Sequence, residues 1–216
     1  IRYAEGDIVN DTQRLGTSTW YTNTNKLTTA TMKTSSVQNA NNGSPGATAL
    51  GSHYINVYYN NSLSGSEFSV AYGHIKGSGS LDYTTGTGGT GFSPSKVIYN
   101  QYRQLVFGDE NSSFSFNGYT PDHIYVVNVS RARYKHNLKP ASMMLTLTAN
   151  GAAKIYTDDS ITTSGSAVMT NAGRQFNIVE GTTPGVMTGG SLNQSNTGNF
   201  GSYGLFYPDS GFMVFN

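Results

Sequence analysis

Cysteine is absent from the 216 residues, so no disulfide and no thiolate metal site can form, and the redox compartment stays open. Charge is scarce too. Asp, Glu, Lys and Arg together make up 12% of the chain and leave a formal net charge of +1. Such a balance supplies no overall field to gather nucleic acid or an anionic membrane, so no nucleic-acid partner is expected. No stretch reaches the roughly 18 consecutive apolar residues of a membrane-spanning helix, and no membrane insertion is expected. The chain opens at Ile1 without Met or a signal-like apolar segment, as a processed product or a piece of a longer protein would. What fills the sequence is Ser, Thr, Asn and Gly, with 15 Tyr, 10 Phe and a single Trp. Polar, turn-forming residues suit short strands joined by many loops, and that much aromatic surface argues for a folded chain.

Alternating runs rich in β-branched and aromatic residues predict strands over 54–59, 67–72, 123–129, 142–148, 153–156, 175–179, 203–207 and 212–215. The first two read as a hairpin across 60–66. Asn150-Gly151, Gly181 to Gly185 and Pro208 to Gly211 read as turns. One helix is expected near residues 93–107. Ser93 stands at its cap, Pro94 at its first position, and Gly108 at its stop. Val97, Ile98, Tyr102, Leu105 and Val106 suggest its apolar stripe. Residues 130–138 read as a second helical turn or a bulged loop. The expected fold is mostly β (α+β): an antiparallel sheet or sandwich covered by one helix. Residues 1–50, with Trp20 and Tyr21 as their main apolar anchor, read as a polar N-terminal arm or loosely packed strand region. Residues 51–216 read as the mostly β domain.

Few constellations carry chemistry. Gly86 to Gly91 fits the G-x-G-x-x-G spacing, with Asp109 and Glu110 about twenty residues on. No buried strand precedes it and no series of βαβ units follows, so it reads as a loop. Arg131, Arg133, Lys135, His136 and Lys139 form a dense basic cluster around Tyr134. In an extended segment, Arg131, Arg133 and Lys135 would share one side and could pair with acids on a neighbouring subunit. Replacing Arg131 and Arg133 together is expected to weaken assembly without unfolding the chain. The four histidines, His53, His74, His123 and His136, have no metal-ligand spacing. Asp158-Asp159 reads as a turn after a strand, with no Ca²⁺ loop around it. No G-x-S-x-G points to a nucleophile. No catalytic residue, metal or cofactor is assigned.

Several segments resemble a family of virion structural proteins of T4-like myoviruses, of the marine cyanophage type. They are Ala71-Tyr72-Gly73-His74 with Gly77 to Ser80, Ser93 to Arg103, Ser130 to Lys135 with Leu138-Lys139-Pro140, and Tyr203 to Pro208 leading into Phe212 to Asn216. The resemblance covers roughly residues 54–216. It implies a large particle component, not an enzyme, stationed in the virion at the tail, baseplate or fibre attachment. It also implies a chain that continues beyond Asn216. The implied partners are other virion proteins in a homo- or hetero-oligomer. Trp20, Tyr102, Arg131, Arg133 and Lys135 are the candidate subunit contacts. A glycan-binding or glycan-cleaving tail-fibre domain acting on host surface glycan is the alternative, and a capsid decoration protein is a second.

Overall fold

The structure is a computed structural model that describes residues 54–58, 66–77, 93–149, 152–163, 167–188 and 202–216. Trp20, the arm expected over 1–50, His53, the loop expected over 86–91 and the turn expected at Asn150-Gly151 lie outside them. In chain order the elements are β1 (Tyr54–Tyr58), β2 (Ser66–His74), α1 (Pro94–Phe107) and β3 (His123–Val129). A 3-10 turn (Arg131–Arg133), β4 (Leu145–Ala149), β5 (Ala152–Asp158), the short α2 (Ser160–Thr163) and β6 (Val168–Thr170) follow. Then come β7 (Gly173–Thr183), β8 (Val186–Met187), β9 (Gly204–Tyr207) and β10 (Phe212–Phe215).

All the strand pairs are antiparallel, in the order β1-β2-β3-β10-β9-β7-β5-β4, with β6 and β8 also paired to β7. The protein is mostly β, with one long helix packed on the sheet. The Gly181 to Gly185 stretch departs from its expected turn. β7 runs on through Gly181, which pairs with both Ile155 and Met187, and the chain reverses only at Pro184-Gly185.

Period-two alternation places one apolar set on each face of the sheet. Ile124, Val126, Leu205, Tyr207, Phe212 and Val214 face α1, where Tyr99, Tyr102, Val106, Phe114 and Phe116 complete the core. On the other face, Phe176, Ile178, Phe206 and Met213 pack against Met143, Tyr134 and Leu138. The connection from β3 to β4 therefore crosses the side opposite the helix. It is tied there by Leu138 N–H donating to Pro208 O at 2.9 Å and by the Tyr134 hydroxyl donating to Ser210 O at 3.3 Å.

The ends of α1 fall where expected, although Ser93 stands at the cap position without a side-chain cap bond. Pro94 sits in its first turn, and Gly108 ends it at φ 73° with its N–H donating to Gln104 O. Its buried stripe is different: Tyr99, Tyr102, Arg103 and Val106 face inward, while Val97 and Leu105 are exposed. At about 100° per residue, Val97 and Leu105 fall on the side away from Tyr99. Tyr99 itself is seated by Gly73, where an added Cβ would lie 2.8 Å from the Tyr99 backbone nitrogen. The helix backbone cannot yield as a flexible side chain would. Gly73→Ala is therefore expected to destabilise the fold by about 2 kcal/mol, read as a lowered midpoint in urea unfolding; an unchanged midpoint would mean that α1 is not held at this contact.

Candidate functional site

β5 and β6 lie along the same side of β7, interrupted. Asp158 faces Ile178, and an unbroken ladder would bring Ile161 opposite Gln175, yet Val168 stands there. Seven residues are thus looped out between the two strands, and α2 lies within the loop. Three consecutive buried polar residues fasten its neck. The Thr157 hydroxyl donates to Met143 O at 3.0 Å and accepts the Gly185 N–H at 2.6 Å. Asp158 Oδ2 accepts the Ala141 N–H at 2.7 Å and the Ser160 hydroxyl. Asp159 accepts the Asn177 N–H at 2.8 Å and the Asn177 side-chain amide at 3.0 Å. Burial pushes the Asp159 carboxyl above the usual range, while the bonds from Asn177 pull it back.

A cleft of about 410 Å³ opens at this loop, lined by Pro140, Ser160, Ile161, Met169, Arg174 and Phe176 among others. A second, of about 390 Å³, lies on the other face of the β6–β7 hairpin, against Val106, Val168, Gln175 and Leu205. Met169 lines both clefts and is 70% exposed. Ile161, Val168 and Val186 are exposed as well, so several large apolar side chains stand in water around these strands. Arg174 is held bidentately by Asp209, Nη2 to Oδ1 at 2.6 Å and Nε to Oδ2 at 3.0 Å. The Arg174 N–H and the Asn137 amide donate to the same carboxylate.

This arrangement positions loops. Asp158 and Asp159 are buried neighbours that accept hydrogen bonds from their own chain, with Asp158 Oδ1 left without a partner, and they differ from a glycosidase pair, whose two carboxyls flank a common bond. The sequence suggests a turn after a strand; instead Asp158 is the last residue of β5 and Asp159 joins it directly to α2. Among the described residues, no group of three or more His, Asp or Glu could hold a metal ion.

The basic segment is a tight turn and not extended, so alternation does not set its side chains on one face. Residues 131–133 form the 3-10 turn, in agreement with the helical-turn alternative. Arg131 is exposed, folds over the Tyr134 ring with its guanidinium carbon 4.6 Å from the ring centre, and donates to Tyr134 O and Lys135 O. Lys135 is exposed. Arg133 pairs with Glu67 at 2.5 Å, where the Glu67 side chain is only 7% exposed. Tyr102 is buried against Phe212, ring centres 5.3 Å apart, and so belongs to the core. The structure folds Arg131 back onto Tyr134 and the Lys135 backbone, turns Arg133 to Glu67, keeps Tyr102 in the core, and does not describe Trp20. The exposed apolar group at β6 has no counterpart among the sequence candidates. Its strand is three residues long, too short to register as an alternating run. No family model, no curated protein and no solved structure matches the chain.

Two outcomes follow from these ties. Arg133→Ala strands a buried carboxylate and is expected to cost about 3 kcal/mol of stability, whereas Arg131→Ala should stay within about 0.5 kcal/mol. Urea unfolding of the two variants checks this, and equal effects would refute it. The double replacement is therefore expected to lower stability through Arg133 as well as to bear on assembly. Separately, Arg174 holds the Asp209 carboxyl down at about 2. Its stabilisation is complete above the unfolded value of about 4 and fades as pH falls toward 2. Discounted for partial exposure it amounts to about 1 kcal/mol. Arg174→Ala should flatten the stability slope between those pH values, and an unaltered slope would contradict the pairing.

Proposed function

We propose that the chain is a structural component of a tailed-virus particle, acting through subunit contacts in the tail, baseplate or fibre-attachment region and not through catalysis. Exposed apolar side chains support this most directly: Ile161 and Met169 at one cleft, Val168 at the cleft on the other face of the β6–β7 hairpin, and Val186 on β8. Exposed apolar clusters on otherwise polar proteins mark contact sites. The low charge and the abundance of Tyr, Asn, Ser and Gly suit contact surfaces as well. The station in the particle comes from the resemblance to virion proteins carried by Ser93 to Arg103 and Tyr203 to Asn216. No helix among the described residues is long and apolar enough to cross a membrane.

The test is labelling electron microscopy of purified particles carrying a tagged copy, together with the Met169→Asp variant. Label at the tail end is expected. Met169→Asp should leave the unfolding midpoint within about 0.5 kcal/mol of the parent, since the side chain is exposed. Its incorporation into particles should fall by on the order of tenfold, equivalent to about 1.4 kcal/mol of lost contact. Label on the head would move the chain to capsid decoration. Absence from particles combined with release of sugar from host glycan would favour the glycan-cleaving alternative. Undiminished incorporation of Met169→Asp would sink the β6 surface as the contact.

A further inference from the structure

β2 and β3 pair so that His74 stands directly across from His123 at the end of the ladder, one step beyond Gly73–Ile124 and two beyond Tyr72–Tyr125. Side chains opposite one another in antiparallel strands have Cβ atoms roughly 5 Å apart, so the two imidazoles share one small patch. The His123 ring lies 6.1 Å edge-on from Tyr125 and 6.3 Å from Tyr72.

His74 also closes the turn that follows β2, because its Nδ1 accepts the Lys76 backbone N–H at 3.1 Å. A backbone N–H can only donate, so this bond requires Nδ1 to be unprotonated, with the ring proton on Nε2. The same turn carries three more bonds. Gly77 N–H donates to His74 O at 3.0 Å and Ile75 N–H to Asp122 O at 2.7 Å. The hydroxyl of Ser93, the residue before α1, donates to Gly77 O at 3.1 Å. One imidazole thus holds a turn to which the start of the helix is also tied.

We propose that the His74–His123 pair is an acid-operated latch: neutral His74 closes the turn over residues 74–77, and its protonation opens it. A proton on Nδ1 sets two donors against each other at the Lys76 N–H. The charge balance around the pair works in the same direction. Lys76 from the turn and Asp122 from the approach to β3 form an exposed ion pair at 3.6 Å. His123 lies across the ladder, and the Tyr72 phenol, pushed up to about 12 by burial and by Tyr125, stays neutral. One imidazolium at His74 and one ammonium at Lys76 would then face a single carboxylate.

Burial, foremost, holds the His74 imidazole below its usual value. Lys76 and His123 add to this, and Asp122 opposes it. A folded value below the unfolded one means that the unfolded chain takes the proton first. The latch is complete above the unfolded value of about 6.5 and weakens as pH falls through the lower folded value. The sheet beneath is untouched, because Ile124 and Val126 are fully buried on the helix side.

The test is hydrogen exchange of the whole chain between pH 7.5 and 4.5, corrected for intrinsic rates, with His74→Asn beside the parent. The Asn amide oxygen keeps an acceptor near the Nδ1 position but cannot titrate. In the parent, protection of the Lys76 amide should fall by up to about tenfold per pH unit from about 6.5 down to the folded His74 value and level off below it. In His74→Asn it should stay level, and in both proteins Val126 should stay protected. Asp122→Asn should move the parent's midpoint to lower pH without abolishing the loss. Level protection in the parent, or an equal loss in His74→Asn, would overturn the latch. So would an Nδ1-protonated His74 tautomer in imidazole ¹⁵N spectra at pH 7.5, a readout that does not depend on the variant folding.

Discussion

The hairpin of β9 and β10, the last strands in the chain, lies in the middle of the sheet. β10 pairs with β3 and β9 with β7, so β1-β2-β3 on one side and β7-β5-β4 on the other are joined through residues 204–215. Its alternation serves both faces at once. Leu205, Tyr207, Phe212 and Val214 enter the core under α1, while Phe206 and Met213 enter the opposite one. Tyr207 and Phe212 stack on each other at 4.7 Å, and Tyr102 of the helix leans on Phe212. Pairing β3 with β10 spans more than eighty residues of chain, a non-local contact whose loop-closure entropy is lost before any burial compensates for it.

Around that centre, the buried polar groups fix loops to the sheet. Thr157, Asp158 and Asp159 gather the loop around residues 139–144, α2 and the β7–β8 turn at one point. Arg174–Asp209 locks the β6–β7 hairpin to the turn between β9 and β10, and Arg133–Glu67 locks the 3-10 turn to β2. Charge is scarce in this sequence, and two of the four ion pairs among the described residues join a turn to a strand of the sheet. Loops held this way present fixed surfaces, as the proposed contact role requires. The surface that they frame at β6 is apolar.

The strands and the single long helix were legible because their signals are local. Runs such as His123 to Val129 and Phe212 to Phe215 alternate at the strand period, and Pro94 and Gly108 mark the helix ends. Strand order was not legible, since nothing in Tyr203 to Phe215 says that the final hairpin enters the middle. The helix stripe was misjudged because hydrophobicity alone cannot tell Val97 from Tyr99; the close approach permitted by Gly73 decides it. Among the candidate contacts, Arg133 and Tyr102 are engaged inside the chain by partners far away in sequence, Glu67 and Phe212. The apolar group at β6 depends on a seven-residue interruption between β5 and β6 that only the register reveals. Asn117-Gly118, at φ 50° and 94°, makes a tight turn between Phe116 and Tyr119. Asn-Gly is a strong hairpin signal, but its flanks are too short to read as strands.

If the C-terminal hairpin joins the two halves, they should lose their structure together. The direct measurement is hydrogen exchange in increasing denaturant, comparing amides of β3 with amides of β7. The account predicts that Val126 and Ile178 exchange through the same opening, with matching free energies and matching dependence on denaturant. Persistent protection of Ile178 after Val126 has become exposed, or the reverse, would contradict it and would mean that the halves stand independently.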